Sequence, residues 1–284
     1  MDSAGSKRSP VSGRVFDLAH CPECQFSRVT NPRTDYAELY DRDYYEGRGV
    51  DRSVDYEREV TDPRTIRTYE WRGIVRLVRS VRDVTPSTTW LDYGAGLGGL
   101  VRYLRDGGIA DAVGFDQGYA ASRMEAAQIP NLTLEELRRE SRRFDVVTAV
   151  EVLEHAVDPM SALRQMAGAL RSGGVLLVTT GNAHPFRGRL SEWSYVLPDV
   201  HVSYFEPLTL ARAMEAAGLT GAYPGYGQGW RDIIRYKVLK GLRISRRGAL
   251  ERAVPWTLVS RLADHRLEVT AHPIALWNRR DGSE

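Results

Sequence analysis

Residues 90–100, "WLDYGAGLGGL", constrain this chain more than any other stretch. An apolar run breaks into Gly94, Gly96 and Gly99, spaced G-x-G-x-x-G, and an amphipathic segment follows. Glycines so spaced let the backbone turn sharply out of a strand into a helix and leave room for a nucleotide against the main chain. Which nucleotide is held depends on Asp92, two residues before the first glycine. A dinucleotide lays two phosphates over the turn, and an acid at the strand tip repels them. S-adenosylmethionine has no phosphate and brings a sulfonium and an ammonium beside one carboxylate. An acid close to that end is favoured by about 1–4 kcal/mol at 4 Å, depending on the local dielectric. The glycine turn also leaves a helix N-terminus to face the carboxylate. Asp116, closing "VGFD", suits both ribose hydroxyls in either case. Asp92 tips the choice toward the sulfonium.

The flanking sequence predicts how this turn is embedded. From Thr89 onward, strands read at "TWLDYG", "DAVGFD", "LTLEEL", "FDVVTAV" and "GVLLVTTG". Helices read between them at "GGLVRYLRDGG", "YAASRMEAAQ" and "PMSALRQMAGALRSGG", the last stopping at Gly173 and Gly174. The alternation predicts an α/β fold: a Rossmann-like doubly wound sheet, mostly parallel, with helices on both faces and an N-terminal helical cap. Residues 1–14 read as a disordered tail, 15–84 as a C-x-x-C segment plus cap, and 85–284 as the nucleotide-binding domain. Within 36–84 the pattern is mostly helical, broken at 46–51 and 61–64. Ile66, Tyr69, Ile74, Leu77, Val78 and Val81 form one apolar stripe suited to packing on a sheet.

Composition narrows the function classes. Hydrophobic content of 42%, charged content of 27% and a net charge of +2 are ordinary for a globular chain and give no general pull toward nucleic acid. The first residues are polar, and no apolar run reaches the roughly 20 residues of a spanning helix. The expectation is a cytoplasmic protein without stable membrane insertion.

The motifs together resemble one family, the class I S-adenosylmethionine-dependent methyltransferases. "LDYGAGLGG" (91–99) is similar to their motif I and "GFD" (114–116) to their second-strand acid. "FDVVTAVEVLEHAVDP" (144–159), "LRSGGVLLVTTGN" (170–182) and "HVSYFEPLTLARAMEAAGL" (201–219) follow in the family's order. The subgroup they resemble includes ubiquinone-biosynthesis and sugar methyltransferases. The resemblance implies that Asp92, Gly94, Gly96 and Gly98 line the methionine end of the cofactor. It also implies that Asp116 holds the ribose, that Gln117 flanks the adenine, and that Glu151 lies where cofactor and acceptor meet. The expected activity is methyl transfer to a small-molecule acceptor, with O-methylation favoured. C- or N-methylation of a sugar or other anionic metabolite, or a non-catalytic cofactor-binding module, stay open as alternatives.

Methyl transfer needs mainly positioning, helped by a base when the acceptor holds its proton tightly. His201 and His184, in the long aromatic segment 182–207, are candidate bases ahead of His155 in "EVLEH". That segment reads as a substrate lid. The basic stretch 230–262, with Ile233, Ile234, Val238, Leu239 and Leu242 at helical spacing, suits an anionic or lipophilic acceptor. Cys21 and Cys24 resemble half of a four-thiolate zinc site found upstream in some relatives of this subgroup. The second pair is missing, so the expectation is two reduced thiols and no metal site.

Overall fold

The chain opens with strands β1 (Asp2–Arg8), β2 (Val15–His20) and β3 (Ser27–Val29), followed by helices α1 (Tyr36–Leu39), α2 (Arg42–Tyr45), α3 (Tyr56–Thr61) and α4 (Arg67–Arg79). The computed structural model describes residues 1–50, 55–139, 141, 143–222, 228–252, 254–259 and 274–279. The N-terminal tail is therefore not disordered over its whole length. Residues 2–8 pair antiparallel with β2, and Lys7 Nζ donates to the Trp193 carbonyl at 2.6 Å. An edge that satisfies backbone groups orders even a Ser/Gly/Lys-rich segment.

The glycine turn sits where the sequence placed it, between β4 (Trp90–Tyr93) and α5 (Gly99–Asp106). Next come β5 (Ala112–Phe115), α6 (Gly118–Ala126), β6 (Asn131–Leu132), α7 (Leu134–Arg139), β7 (Phe144–Val150), α8 (Pro159–Ala169) and β8 (Leu170–Thr179). Then follow β9 (Ser203–Tyr204), α9 (Pro207–Ala216), β10 (Leu219–Ala222), α10 (Gln228–Gly241), α11 (Ala249–Arg252) and β11 (Ile274–Arg279). The large sheet has the order β10-β11-β8-β7-β4-β5-β6. Its strands β6, β5, β4, β7 and β8 run parallel, and β11 and β10 add on antiparallel. Strand order reverses between β4 and β7, the point at which such sheets open a crevice for ligands.

Both faces are covered. Ile74, Leu77 and Val78 of α4, Leu100 and Leu104 of α5 and Ile233 of α10 pack with Trp90, Val146 and Leu177 on one side. Leu163 and Met166 of α8 and Leu210 and Met214 of α9 pack with Leu91, Val147 and Leu176 on the other. The stripe on α4 is buried as expected except at its end, where Val81 is exposed. On α10, Ile233, Ile234 and Leu239 are buried, whereas Leu242 is exposed. Residues 253 and 260–262 of the basic stretch lie outside the described residues.

Two local readings are corrected. "LTLEEL" (132–137) keeps only its first residue in the two-residue β6 and then turns into a helix, because Thr133 and Glu136 close a capping box. The Glu136 amide donates to Thr133 Oγ1 at 3.2 Å, and the Thr133 amide donates to Glu136 Oε2 at 2.8 Å. The helix before β8 ends at Ala169 rather than at Gly173 and Gly174. Leu170 is already extended and fully buried opposite Phe144, and the glycines lie within an irregularity of β8.

Residues 182–207 are not a bare loop. They contain 3-10 turns at His184–Phe186 and Leu190–Glu192, and β9 pairs with β3 to complete a small sheet of order β1-β2-β3-β9. Trp193, Val196, Val202 and Tyr204 share a core with Phe16, Leu18 and Val29. Among the described residues, no helix is long and apolar enough to cross a membrane.

At the start of α5, a Cβ on Gly99 would stand 2.4 Å from Cζ2 of Trp71 on α4. Gly99→Ala is expected to destabilise the protein by about 1–3 kcal/mol in denaturant melts, because the indole ring must shift within a packed helix pair.

Candidate functional site

The site is assembled at the carboxyl ends of β4, β5, β7 and β8. Gly94, Gly96 and Gly98 all adopt left-handed backbone, at φ of 73°, 55° and 75°. Their surroundings differ. A Cβ on Gly94 would lie 2.5 Å from Val152, whereas one on Gly96 would meet nothing within 4 Å. Gly94 lets the turn pack tightly, and Gly96 faces open space at the crevice. An enclosed carboxylate beside a backbone cradle matches what a sulfonium nucleoside needs, so these residues fit that group.

Asp92 is 5% exposed at the tip of β4. Thr148 on β7 donates to its Oδ1 at 2.8 Å, and Trp90 Nε1 in turn donates to Thr148 Oγ1 at 3.1 Å. Burial raises the Asp92 pKa from 3.8 to about 7, against the pull of the Thr148 bond. Asp116 lies against the same turn. Its Oδ2 accepts from the Gly96 amide at 2.7 Å and its Oδ1 from the Gln117 amide at 2.8 Å. Crowding by protein atoms raises the Asp116 pKa to about 6, opposed by those two donors. Each of its oxygens keeps a second lone pair for a hydroxyl. Gln117 precedes α6 with an exposed side chain beside Asp116.

Glu151 follows β7 with φ of 55°, strained for a residue with a side chain. Its amide meets the Thr179 carbonyl at 3.0 Å. Its carboxylate accepts from Thr179 Oγ1 and from the Tyr195 hydroxyl, both at 3.0 Å. The Tyr195 hydroxyl also bonds Glu154, and Thr180 Oγ1 donates to Glu154 Oε2 at 2.8 Å. Burial, then the charge of Glu151, pushes the Glu154 pKa up to about 8, so Glu154 holds a proton at neutral pH.

Two of the three candidate histidines meet here. Ligand atoms of Glu154, His155 and His201 lie within 4.8 Å of one another. His201 Nδ1 is 2.7 Å from the Tyr195 carbonyl. A carbonyl only accepts, so Nδ1 carries a proton, and in the neutral imidazole Nε2 is the basic nitrogen. His155 Nδ1 lies 2.8 Å from the Tyr40 hydroxyl and 3.1 Å from the Val200 carbonyl. His184 goes elsewhere: its side chain is 61% exposed and pairs with Glu206, which also binds Arg187. That surface placement takes away the reason for ranking it above His155.

Aromatic rings pack around His155 and His201. Tyr195 lies 4.8 Å from Trp193 and 4.4 Å from His201, and Tyr40 lies 5.9 Å from His155. Tyr45 stacks on Tyr119, the second residue of α6, at 5.5 Å. Thr148, Thr179 and Thr180 escaped the sequence reading; their signal was a threonine near the end of each strand, in "FDVVTAV" and "LLVTT". Cys21 and Cys24 are free thiols on the β2–β3 hairpin, where the Cys21 amide donates to the Phe26 carbonyl at 2.8 Å. Among the described residues the one grouping of potential metal ligands is Glu154, His155 and His201, which the sequence reading did not anticipate.

A family model described as a methyltransferase domain matches residues 64–222. The chain is 33% identical over 147 residues to a ubiquinone biosynthesis O-methyltransferase of Aeromonas salmonicida, covering 45% of this chain and 61% of that relative. It is 36% identical over 104 residues to the protein of that name from Cereibacter sphaeroides, covering 34% and 42%. The chain thus spans less than two thirds of the length of these curated relatives. In fold it is similar to a structure of the Haloferax volcanii Trm112 methyltransferase activator in complex with a putative methyltransferase. That match has a TM-score of 0.54 at 16% identity and covers 88% of this chain and 100% of the other. It is also similar to a Haemonchus contortus phosphoethanolamine N-methyltransferase 2 bound to S-adenosylhomocysteine, with a TM-score of 0.52 at 14% identity, covering 90% and 63%.

The raised pKa of Asp92 has a definite consequence for stability. The folded state holds this proton more tightly than the unfolded chain, so the contribution of Asp92 to stability falls as pH rises from about 4 through about 7. Asp92→Asn is expected to flatten that fall, by an amount on the order of 4 kcal/mol at most, in urea melts across this range. An unchanged slope would mean that Asp92 is ionised in the folded apoprotein.

Proposed function

The chain belongs to the class I S-adenosylmethionine-dependent methyltransferases, and from that premise we propose that it methylates a small-molecule acceptor at an oxygen. S-adenosylmethionine, when bound, supplies a methyl group on a sulfonium that needs no further activation. Asp92 favours the positive end of that donor, the backbone at Gly96 leaves it room, and Asp116 receives the ribose. Gln117 stands at the adenine edge. The chain's remaining task is to hold an acceptor in line and to take its proton.

The observation that carries the oxygen assignment is the tautomer of His201. Its Nδ1 proton is directed at the Tyr195 carbonyl, which presents Nε2 as a base beside Glu154 and His155. Glu154, protonated at neutral pH, and the Tyr195 hydroxyl keep excess negative charge off that spot. The rings of Tyr195 and Tyr40 beside the two histidines suit an aromatic or other apolar acceptor bearing a hydroxyl. The name shared by the curated relatives supports the same acceptor atom.

The grouping of Glu154, His155 and His201 favours a second reading, in which a divalent cation polarises the hydroxyl. Their donor atoms, within 4.8 Å, need only a small contraction to reach the spacing around such an ion. Chelation separates the two: activity lost to a chelator and restored by a divalent metal favours the cation, and indifference favours the histidine base.

The direct test supplies methyl-labelled S-adenosylmethionine with a panel of phenols, catechols, sugar alcohols and amines. We expect label on a phenolic or catecholic oxygen. His201→Ala should lower kcat about a hundredfold, the range of a lost general base, and His184→Ala should leave it within twofold. Label on nitrogen or carbon, or wild-type turnover by His201→Ala, contradicts the proposal.

A further inference from the structure

Gly181 is buried just past the end of β8, and its φ lies outside the left-handed region that favours glycine. Backbone conformation is therefore not what requires a glycine here. Space requires it. A Cβ on Gly181 would lie 2.3 Å from Cε1 and 2.7 Å from Cδ1 of Tyr195, and 2.8 Å from Cη2 of Trp193. Carbon atoms do not pack so closely, so a side chain at 181 must displace a ring.

Neither ring yields cheaply. The Tyr195 hydroxyl sits between Glu151 Oε2 at 3.0 Å and Glu154 Oε1 at 2.5 Å. The ring lies 4.8 Å from that of Trp193 and 4.4 Å from that of His201. Trp193 is itself buried and stacked on Phe186 at 5.0 Å. The Tyr195 carbonyl accepts from His201 Nδ1 at 2.7 Å and from the Leu197 amide at 2.9 Å, which occupies both of its lone pairs. A push at residue 181 is thus passed to the ring and the carbonyl that hold His201. We propose that Gly181 and Tyr195 act as one positioning pair for His201. The missing side chain at 181 seats the tyrosine, and the seated tyrosine aims the imidazole. The assignment rests on the reading of His201 as base for an oxygen acceptor, and adds to it a residue that touches no reacting group.

The test measures methyl transfer to whichever phenol or catechol the wild type labels, and S-adenosylmethionine affinity by calorimetry. The variants are Gly181→Ala, Tyr195→Phe, Tyr195→Ala and the double variant Gly181→Ala/Tyr195→Ala of the full chain. Gly181→Ala is expected to lower kcat about ten- to hundredfold, the cost of misplacing a reacting group by about 1 Å, with cofactor affinity kept within about threefold. Tyr195→Phe keeps the packing and loses the hydroxyl bonds, and should lower kcat about tenfold. In the Tyr195→Ala background, Gly181→Ala should cost less than about threefold more, because the ring it displaces is gone. Wild-type kcat in Gly181→Ala, the same loss factor in both backgrounds, or a parallel loss of cofactor affinity overturns the pair alone. Should Gly181→Ala fail to fold, wild-type kcat in Tyr195→Phe overturns it instead. Full turnover by His201→Ala, or a wild type that labels no hydroxyl, overturns the oxygen reading and the pair with it.

Discussion

The enclosed carboxylate of Asp92 is the constraint around which the site is arranged. It sits at the tip of β4, in the strand pair where the order of the sheet reverses, and the neighbouring strand gives it a Thr148 bond. Without a ligand, burial drives this group toward its protonated form. A cation arriving beside it restores the charge and offsets the cost of desolvation, so the position favours a sulfonium donor and disfavours a pyrophosphate. The glycine turn gives this preference its shape, with Gly94 packed against Val152 and Gly96 left facing open space.

Around that point the site divides into two electrostatic halves. On the side proposed for the cofactor, Asp92 and Asp116 are carboxyls with raised pKa values, held by Thr148 and by backbone amides. On the side proposed for the acceptor, Tyr195 ties Glu151 to Glu154, and its own carbonyl orients His201. The strained backbone at Glu151 joins the halves, because that residue follows directly on β7 and reaches both Thr179 and Tyr195. Segment 182–207 contributes Tyr195 and His201 from a framework anchored by β9 and the small sheet. The positions of its rings are therefore fixed by packing.

Much of this was legible in the sequence where local chemistry and global fold agree. The parallel sheet and the glycine turn follow from the alternation of elements, and Asp92 and Asp116 stand at strand ends where the sequence put them, whereas Glu151 entered only through the family resemblance. The readings that failed were decided by contacts far away in sequence. Strand β1 exists because β2 offers it an edge, and α8 stops early because Leu170 is drawn into the sheet opposite Phe144. His184 and His201 looked equivalent as histidines in one aromatic segment. Glu206 takes the first to the surface, while the Tyr195 carbonyl aims the second inward. The capping box at Thr133 was visible as T-x-x-E and simply outweighed by alternation.

The central claim, that Asp92 receives the positive end of a sulfonium cofactor, is tested most directly by the affinity of S-adenosylmethionine for the wild type and for Asp92→Asn at pH 7.5, with folding checked by circular dichroism. A weakening of about fivefold or more in a folded variant is the predicted result, since the lost attraction is worth at least about 1 kcal/mol at 4 Å. Equal affinity of the two proteins for S-adenosylmethionine would contradict it.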